Sequence, residues 1–158
     1  MAVVQVPGCP PTTDLFSGLF VFGVKHHIVL AKGYPVDLQR RLTQCGYEVT
    51  CVSSYLELRR MDLDRSKVDA VVLDVSLPEK GDCKVDNSGG VSHGASKAIS
   101  HVLLKKNIPH VCVGRAILKP TEVESLHAPY ILEPMIELGF QSLLRVLREI
   151  VGHNKQTV

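Results

Sequence analysis

The sequence predicts a three-layer α/β domain, a doubly wound sheet of five parallel strands with helices on both faces. Three observations carry this. Val71-Val72-Leu73 is an apolar, β-branched run that Asp69 precedes and Asp74 ends, and Leu77-Pro78 and Gly81 break regular structure behind it. Such a run suits a strand buried on both faces of a parallel sheet. Strand-like and helix-like segments alternate about five times along the chain, which implies parallel pairing through right-handed crossovers. The length, 158 residues, suits one domain with a sizeable core.

In chain order, Met1 to Thr13 holds Pro7, Gly8, Pro10 and Pro11 and resists regular structure. Phe16 to Val24 is apolar enough for a strand or an added piece of packing, and His27 to Ala31 is the favoured first strand. Pro35 can occupy the first turn of a helix whose stripe is Val36, Leu38 and Leu42, with Gly46 as its stop. Tyr47 to Val52 alternates and is β-branched, the second strand. Ser53 or Ser54 can cap a short helix through Leu58 to Met61, and the strand ending at Asp74 follows. Ser76 to Gly90 is long and polar and reads as a mobile surface linker. Val91 to Lys106 is helical in period, through Ala95, Ile99, Val102 and Leu103. Ile108 to Val113 is a strand that takes Pro109 at its start. Beyond Gly114 only a short helix fits, Thr121 to Leu126, before a last strand at Tyr130 to Leu132. Ile136 to Val151 is the strongest helix, with Ile136, Phe140, Leu143, Leu144, Leu147 and Ile150 on one face. His153 to Val158 reads as a frayed tail.

Apolar content of 45%, charged content of 22% and a net charge of +2 are ordinary for a soluble globular chain. They give no single-sign block of the kind nucleic acid attracts. Five cysteines without CxxC spacing fit reduced cytosolic thiols better than a disulfide framework or a zinc site. Leu15 to Leu30 is interrupted by Lys25, His26 and His27, so it is too short and polar for a membrane span, and its charges fall on the wrong side for a secretory signal. The expected location is cytoplasmic.

Asp74 is the principal candidate site, because ligands and chemistry gather at the carboxyl ends of strands in open α/β sheets. The alternative is that Asp74 only starts the turn after its strand, as Asp often does. Other candidates are weaker. His26-His27 are adjacent, and His93 and His101 are eight apart without a third ligand, so scattered surface histidines outweigh a metal site. Gly89-Gly90 with Ser88 and Ser92 lacks either phosphate-loop spacing and reads as a cap and hinge. Cys112, in an apolar run, reads as core, and no visible group activates it or Cys83 as a nucleophile. Arg40-Arg41, Arg59-Arg60 and Lys105-Lys106 read as solvated faces without the aromatic interleaving of nucleic-acid binders.

Several segments in order resemble the receiver domain of two-component response regulators, which are flavodoxin-like with strand order 2-1-3-4-5. The resemblance covers His27 to about Val151. "CGYEV" (Cys45 to Val49) looks like the end of that family's first helix running into its second strand. "DAVVLDVSLPEKG" (Asp69 to Gly81) is similar to the segment with the phosphoacceptor aspartate. "NIPHVCVG" (Asn107 to Gly114) resembles the fourth strand, and "PYILEPM" (Pro129 to Met135) the fifth strand and the Lys-Pro turn after it. The implied organisation is an N-terminal extension (1–25), a receiver-like domain (26–152) with a short or missing fourth helix, and a C-terminal tail (153–158).

Of the family's functional set only Asp74 keeps its identity. The acidic pair that holds magnesium after the first strand is replaced by Ala31-Lys32-Gly33, the hydroxyl residue after the fourth strand by Gly114, and the lysine before the proline by Glu133. A carboxylate that attacks phosphorus needs cations to neutralise the phosphoryl oxygens, and magnesium wants one or two carboxylates and an octahedral oxygen shell. Asp74 and Glu133 about 4 Å apart would repel by roughly 4 kcal/mol at an effective dielectric near 20, and a phosphoryl group would add about −1.5 to −2 of charge. Lys32 is either a solvated loop lysine or an ammonium in the vacated metal region, paired with Asp74, Glu133 or both. The expectation is a degenerate receiver, not an enzyme and without a cofactor, that docks a histidine kinase, another signalling protein or a second copy as a homodimer. The resemblance puts Val36 to Leu42 and Ile136 to Val151 near the docking face. Two alternatives stand beside it: phosphorylation of Asp74 by an atypical route, or a small α/β enzyme or ligand-binding domain with a pocket at Asp74, Gly114 and Glu133. Neither nucleic acid nor a membrane is an expected partner.

Overall fold

Burial on both faces is what makes the central strands, and the computed structural model shows it directly. It describes residues 25–33, 35–80 and 90–156. The expectations for Phe16 to Val24, Cys83 and Gly89 lie outside those residues. Strands β1 (His27–Ala31), β2 (Glu48–Val52), β3 (Ala70–Asp74), β4 (His110–Gly114) and β5 (Tyr130–Leu132) form one parallel sheet in the order β2-β1-β3-β4-β5. Every residue of β3 and β4 is buried. The edge strands β2 and β5 are only partly so, as their one-sided pairing dictates.

The alternation of side chains along each strand divides the core in two. Val29, Ala31, Val71, Leu73 and Cys112 face helices α2 (Tyr55–Arg60) and α3 (His93–Ala98). Ile28, Leu30, Val72, Val111 and Val113 face α1 (Val36–Gln44) and α5 (Glu137–Gln156). The fourth helix, α4 (Pro120–Glu124), is a short piece beside β5 with no buried residue of its own.

Local sequence explains the element ends. Pro35 occupies the cap position of α1, and Gly46 behind it takes φ 97°, the left-handed conformation that glycine reaches at least cost. Ser54 caps α2 by accepting the Glu57 N–H, and Ser92 caps α3 by accepting the Ala95 N–H. Pro109 sits one residue ahead of β4 and uses its carbonyl to accept the Val71 N–H.

Several expectations are corrected. Val36 is 69% exposed and Ile136 53% exposed; each stands at the opening turn of its helix, beyond the sheet's cover. The helix expected over Val91 to Lys106 begins at His93 and passes into a π-helical segment, Ile99–Leu103, closed by the Leu104 N–H on the Ile99 carbonyl at 2.9 Å. The stretch after Asp74 does not begin as an exposed linker, because Leu77 and Pro78 are buried against α2 and α3. α5 runs past Val151 to Gln156, since Gly152 alone does not stop a helix that already spans many turns. Cys45 is disulfide-bonded, whereas Cys51 and Cys112 are free thiols. The expectation of reduced thiols throughout is therefore corrected at Cys45.

Candidate functional site

Register brings the site together. Ala31 pairs with Leu73 across β1 and β3, so the next residues, Lys32 and Asp74, stand side by side at the carboxyl edge. The Lys32 N–H donates to the Val52 carbonyl at 3.0 Å, which ties the backbone after β1 to β2. Its ammonium donates to Asp74 Oδ2 at 2.7 Å. Asp74 is 5% exposed, and its second oxygen, Oδ1, accepts both the Ser76 N–H at 2.7 Å and the Ser76 hydroxyl at 2.6 Å.

The two readings of Asp74 therefore coexist in one geometry. The carboxylate ends a buried strand at the edge where sites form, and it also closes the turn to Ser76. Each of its oxygens already holds a charge-assisted hydrogen bond, the stronger class. A buried ion pair earns little net stability against desolvation; here its consequence is to fix the carboxylate in place.

Gly114 ends β4, where Asp74 pairs with Val113. A Cβ on Gly114 would meet the Tyr130 hydroxyl at 2.6 Å and a Val75 methyl at 2.7 Å. Tyr130 donates instead to the Ala116 carbonyl at 2.5 Å. Burial first, and the Asp74 charge second, push the Tyr130 phenol up to about 12. The same two causes push the Cys112 thiol up to about 12, so it stays an S–H and is a poor nucleophile. Glu133 follows β5, with its N–H on the Gly114 carbonyl at 2.7 Å and φ 51°. Among the described residues, the Lys32 ammonium pairs with Asp74 and not with Glu133.

The donor set does not fit magnesium. The cation would need several free oxygens, yet Asp74 spends both on Lys32 and Ser76, and an ammonium holds the adjoining position. Among the described residues no group of three or more His, Cys, Asp or Glu side chains could hold a metal ion. Ser76 and Tyr130 are the site residues that sequence reasoning missed. Ser76 carried the signal of an Asp-x-Ser turn, whereas Tyr130 needs the register Cys112 to Tyr130 to be placed at all.

Two of the histidines weighed as metal ligands have structural partners. His27 Nε2 lies 2.7 Å from Thr50 Oγ1 and its Nδ1 2.8 Å from the Lys67 carbonyl, and His101 Nδ1 lies 3.1 Å from the Tyr55 hydroxyl.

Fold and site together define a doubly wound, flavodoxin-like α/β domain with an acidic residue on the carboxyl edge of its central strand. Its fold is that of response-regulator receiver domains. Three solved structures similar to it are the non-phosphorylated HemR receiver domain from Leptospira biflexa (TM-score 0.59, 19% identity, 80% of this chain and 94% of that one), the receiver domain of the Francisella response regulator 1452 (TM-score 0.59, 16% identity, 82% and 99%), and the receiver domain of a modulated diguanylate cyclase from Desulfovibrio desulfuricans G20 (TM-score 0.60, 15% identity, 85% and 99%). No protein-family model and no curated protein matches the chain. No described helix is long and apolar enough to cross a membrane.

Proposed function

We propose that this chain is a degenerate receiver that works in signal transduction by docking a protein partner, with Lys32 standing where a phosphorylatable site needs a metal ion. The single observation that supports this reading is the saturated Asp74 carboxylate. Lys32 holds one oxygen and Ser76 the other, so a nucleophilic attack on phosphorus would first have to break an ion pair. Glu133 in place of a lysine and Gly114 in place of a hydroxyl remove the remaining groups that would neutralise a phosphoryl group.

The docking surface in this reading is formed by the openings of α1 and α5. Arg41 of α1 donates to the Met135 carbonyl at 2.9 Å and reaches Glu137 at 3.3 Å, which joins the two helices. Val36 at the start of α1 and Ile136 and Leu138 at the start of α5 leave apolar surface, Leu138 being 80% exposed. The partner chemistry this fits is a helical or apolar protein surface, of a histidine kinase or another signalling protein.

The test is incubation with a small acyl-phosphate donor and magnesium, followed by intact mass measurement of wild type and Asp74→Asn. Neither protein should gain a phosphoryl-sized increment. An increment on the wild type that Asp74→Asn lacks would replace this reading with a phosphorylatable receiver.

A further inference from the structure

At the opposite end of the sheet from Asp74, among the described residues, a cleft of about 370 Å³ opens beneath the amino ends of β4 and β5. Leu104, Ile108, Pro109, Pro129 and Ile150 give it apolar walls, and Arg65 marks its side toward β3. Leu104 is 44% exposed there, so the wall is unfinished.

The chain enters β1 at this same edge. The His26 carbonyl accepts the Glu48 N–H at 3.0 Å and the His27 carbonyl accepts the Asp69 N–H at 2.8 Å, so what precedes Lys25 leaves from the amino end of the sheet. What precedes it is Phe16–Val24, "FSGLFVFGV", which lies outside the described residues. It contains Phe16, Phe20 and Phe22, three of the chain's four phenylalanines. The described domain uses only Phe140 in its core. A run this apolar is costly to leave in water, and the cleft lies within its reach. β3 alone separates β1 from β4, which sets about 10 Å between them at the usual strand spacing. Nine residues span up to about 30 Å.

We propose that the amino-edge cleft is the docking site of this chain's own Phe16–Val24 segment, with a phenylalanine seated between Leu104 and Pro129. The exposed apolar residues at the openings of α1 and α5 are the rival seat. They lie at the carboxyl edge, about 16 Å up the length of β1, and they form a rim rather than a cleft.

The full-length chain with Phe20 replaced by p-benzoylphenylalanine tests this directly. Irradiation of a dilute sample should join position 20 to residues 103–109, 128–130 or 150 of the same chain, read by peptide mass spectrometry. A link to α1 or to the start of α5, or no link at all, overturns the proposal. A mixture of light and heavy isotope-labelled chains adds a further arm, in which light-to-heavy links identify a second copy as the occupant and overturn it too. Hydrogen exchange gives a readout that needs no crosslinker. In Phe20→Ser/Phe22→Ser the amides of residues 103–108 should exchange at least tenfold faster than in wild type, while those of β3 keep their rates. Unchanged rates in 103–108, or equal acceleration everywhere, would count against a seat in the cleft.

Discussion

A side chain at position 114 would have to displace Tyr130 or Val75, because the first atom it adds lies 2.6 Å from one and 2.7 Å from the other. Overpacking of this kind costs about 1–3 kcal/mol. Gly114→Ser should therefore lower stability by that amount in urea denaturation, and Gly114→Ala should cost nearly as much, since the collision is already present at Cβ. In a Tyr130→Phe background the closer contact is gone, so Gly114→Ala should cost measurably less; additive effects of the two changes would refute the collision as the cause. Asp74 was readable in the sequence as the carboxylate that ends a strand, and Lys32, one residue past the first strand, as either a solvated lysine or its partner. Ser76 and Tyr130 were not, because a turn hydrogen bond and a cross-strand register are three-dimensional facts. Glu133 shows the same limit. Its place after β5 follows from sequence, while the lysine's choice of Asp74 as partner follows only from the register of β1 on β3.

Among the elements, the strands were the most legible, since burial on both faces leaves a continuous apolar run such as Val71 to Leu73. Helix ends were less so. A π segment such as Ile99–Leu103 adds one residue to a turn without a compositional mark, so the helical period of Val91 to Lys106 reads as uninterrupted. The caps are a better test of how sequence sets an element. Ser92 accepts the Ala95 N–H at 3.0 Å and donates to the Leu77 carbonyl at 2.7 Å, in a place that is 6% exposed. It thus starts α3 and fastens it to the turn that follows Asp74. Gly94 lets the same contact close, because a Cβ there would collide with the backbone of Leu77 and Pro78. Ser92→Ala removes the cap and leaves a buried carbonyl unpaired, a loss of about 1–3 kcal/mol. Ser92→Thr, which keeps the hydroxyl, should recover part of it in the same thermal melts. Equal losses for both variants would mean that the hydroxyl's bonds are not what anchors the helix.

The whole molecule carries its ionisable groups in a way that sets the pH range of its stability. His110 lies on β4 with its Nε2 2.9 Å from the Leu126 carbonyl, and burial holds the imidazole below its ordinary 6.5. A histidine depressed in the folded state is neutral in both states above that value and contributes nothing there. Below it the unfolded chain takes up the proton first, so stability falls as pH drops from about 6.5. At the other extreme the Tyr130 phenol and the Cys112 thiol are both pushed up to about 12. The folded protein keeps these protons after the unfolded chain has lost them, so stability is whole below the unfolded values and declines as pH rises past about 9 for the thiol and 10 for the phenol. The melting temperature should accordingly form a plateau between pH 7 and 8.5 and fall on both sides. Each flank has its own control. Cys112→Ala should make the decline that begins at about 9 shallower, with the half-buried Cys51 thiol, also pushed up, keeping the remainder, whatever the substitution costs at the plateau. His110→Gln should flatten the slope between pH 5 and 6.5. A slope unchanged by that substitution would refute His110 as the source of the acid flank, because the carboxylates lowered by the Ser66 hydrogen bonds (Asp64) and by Lys97 (Glu79) lose their contributions only below about pH 4.5.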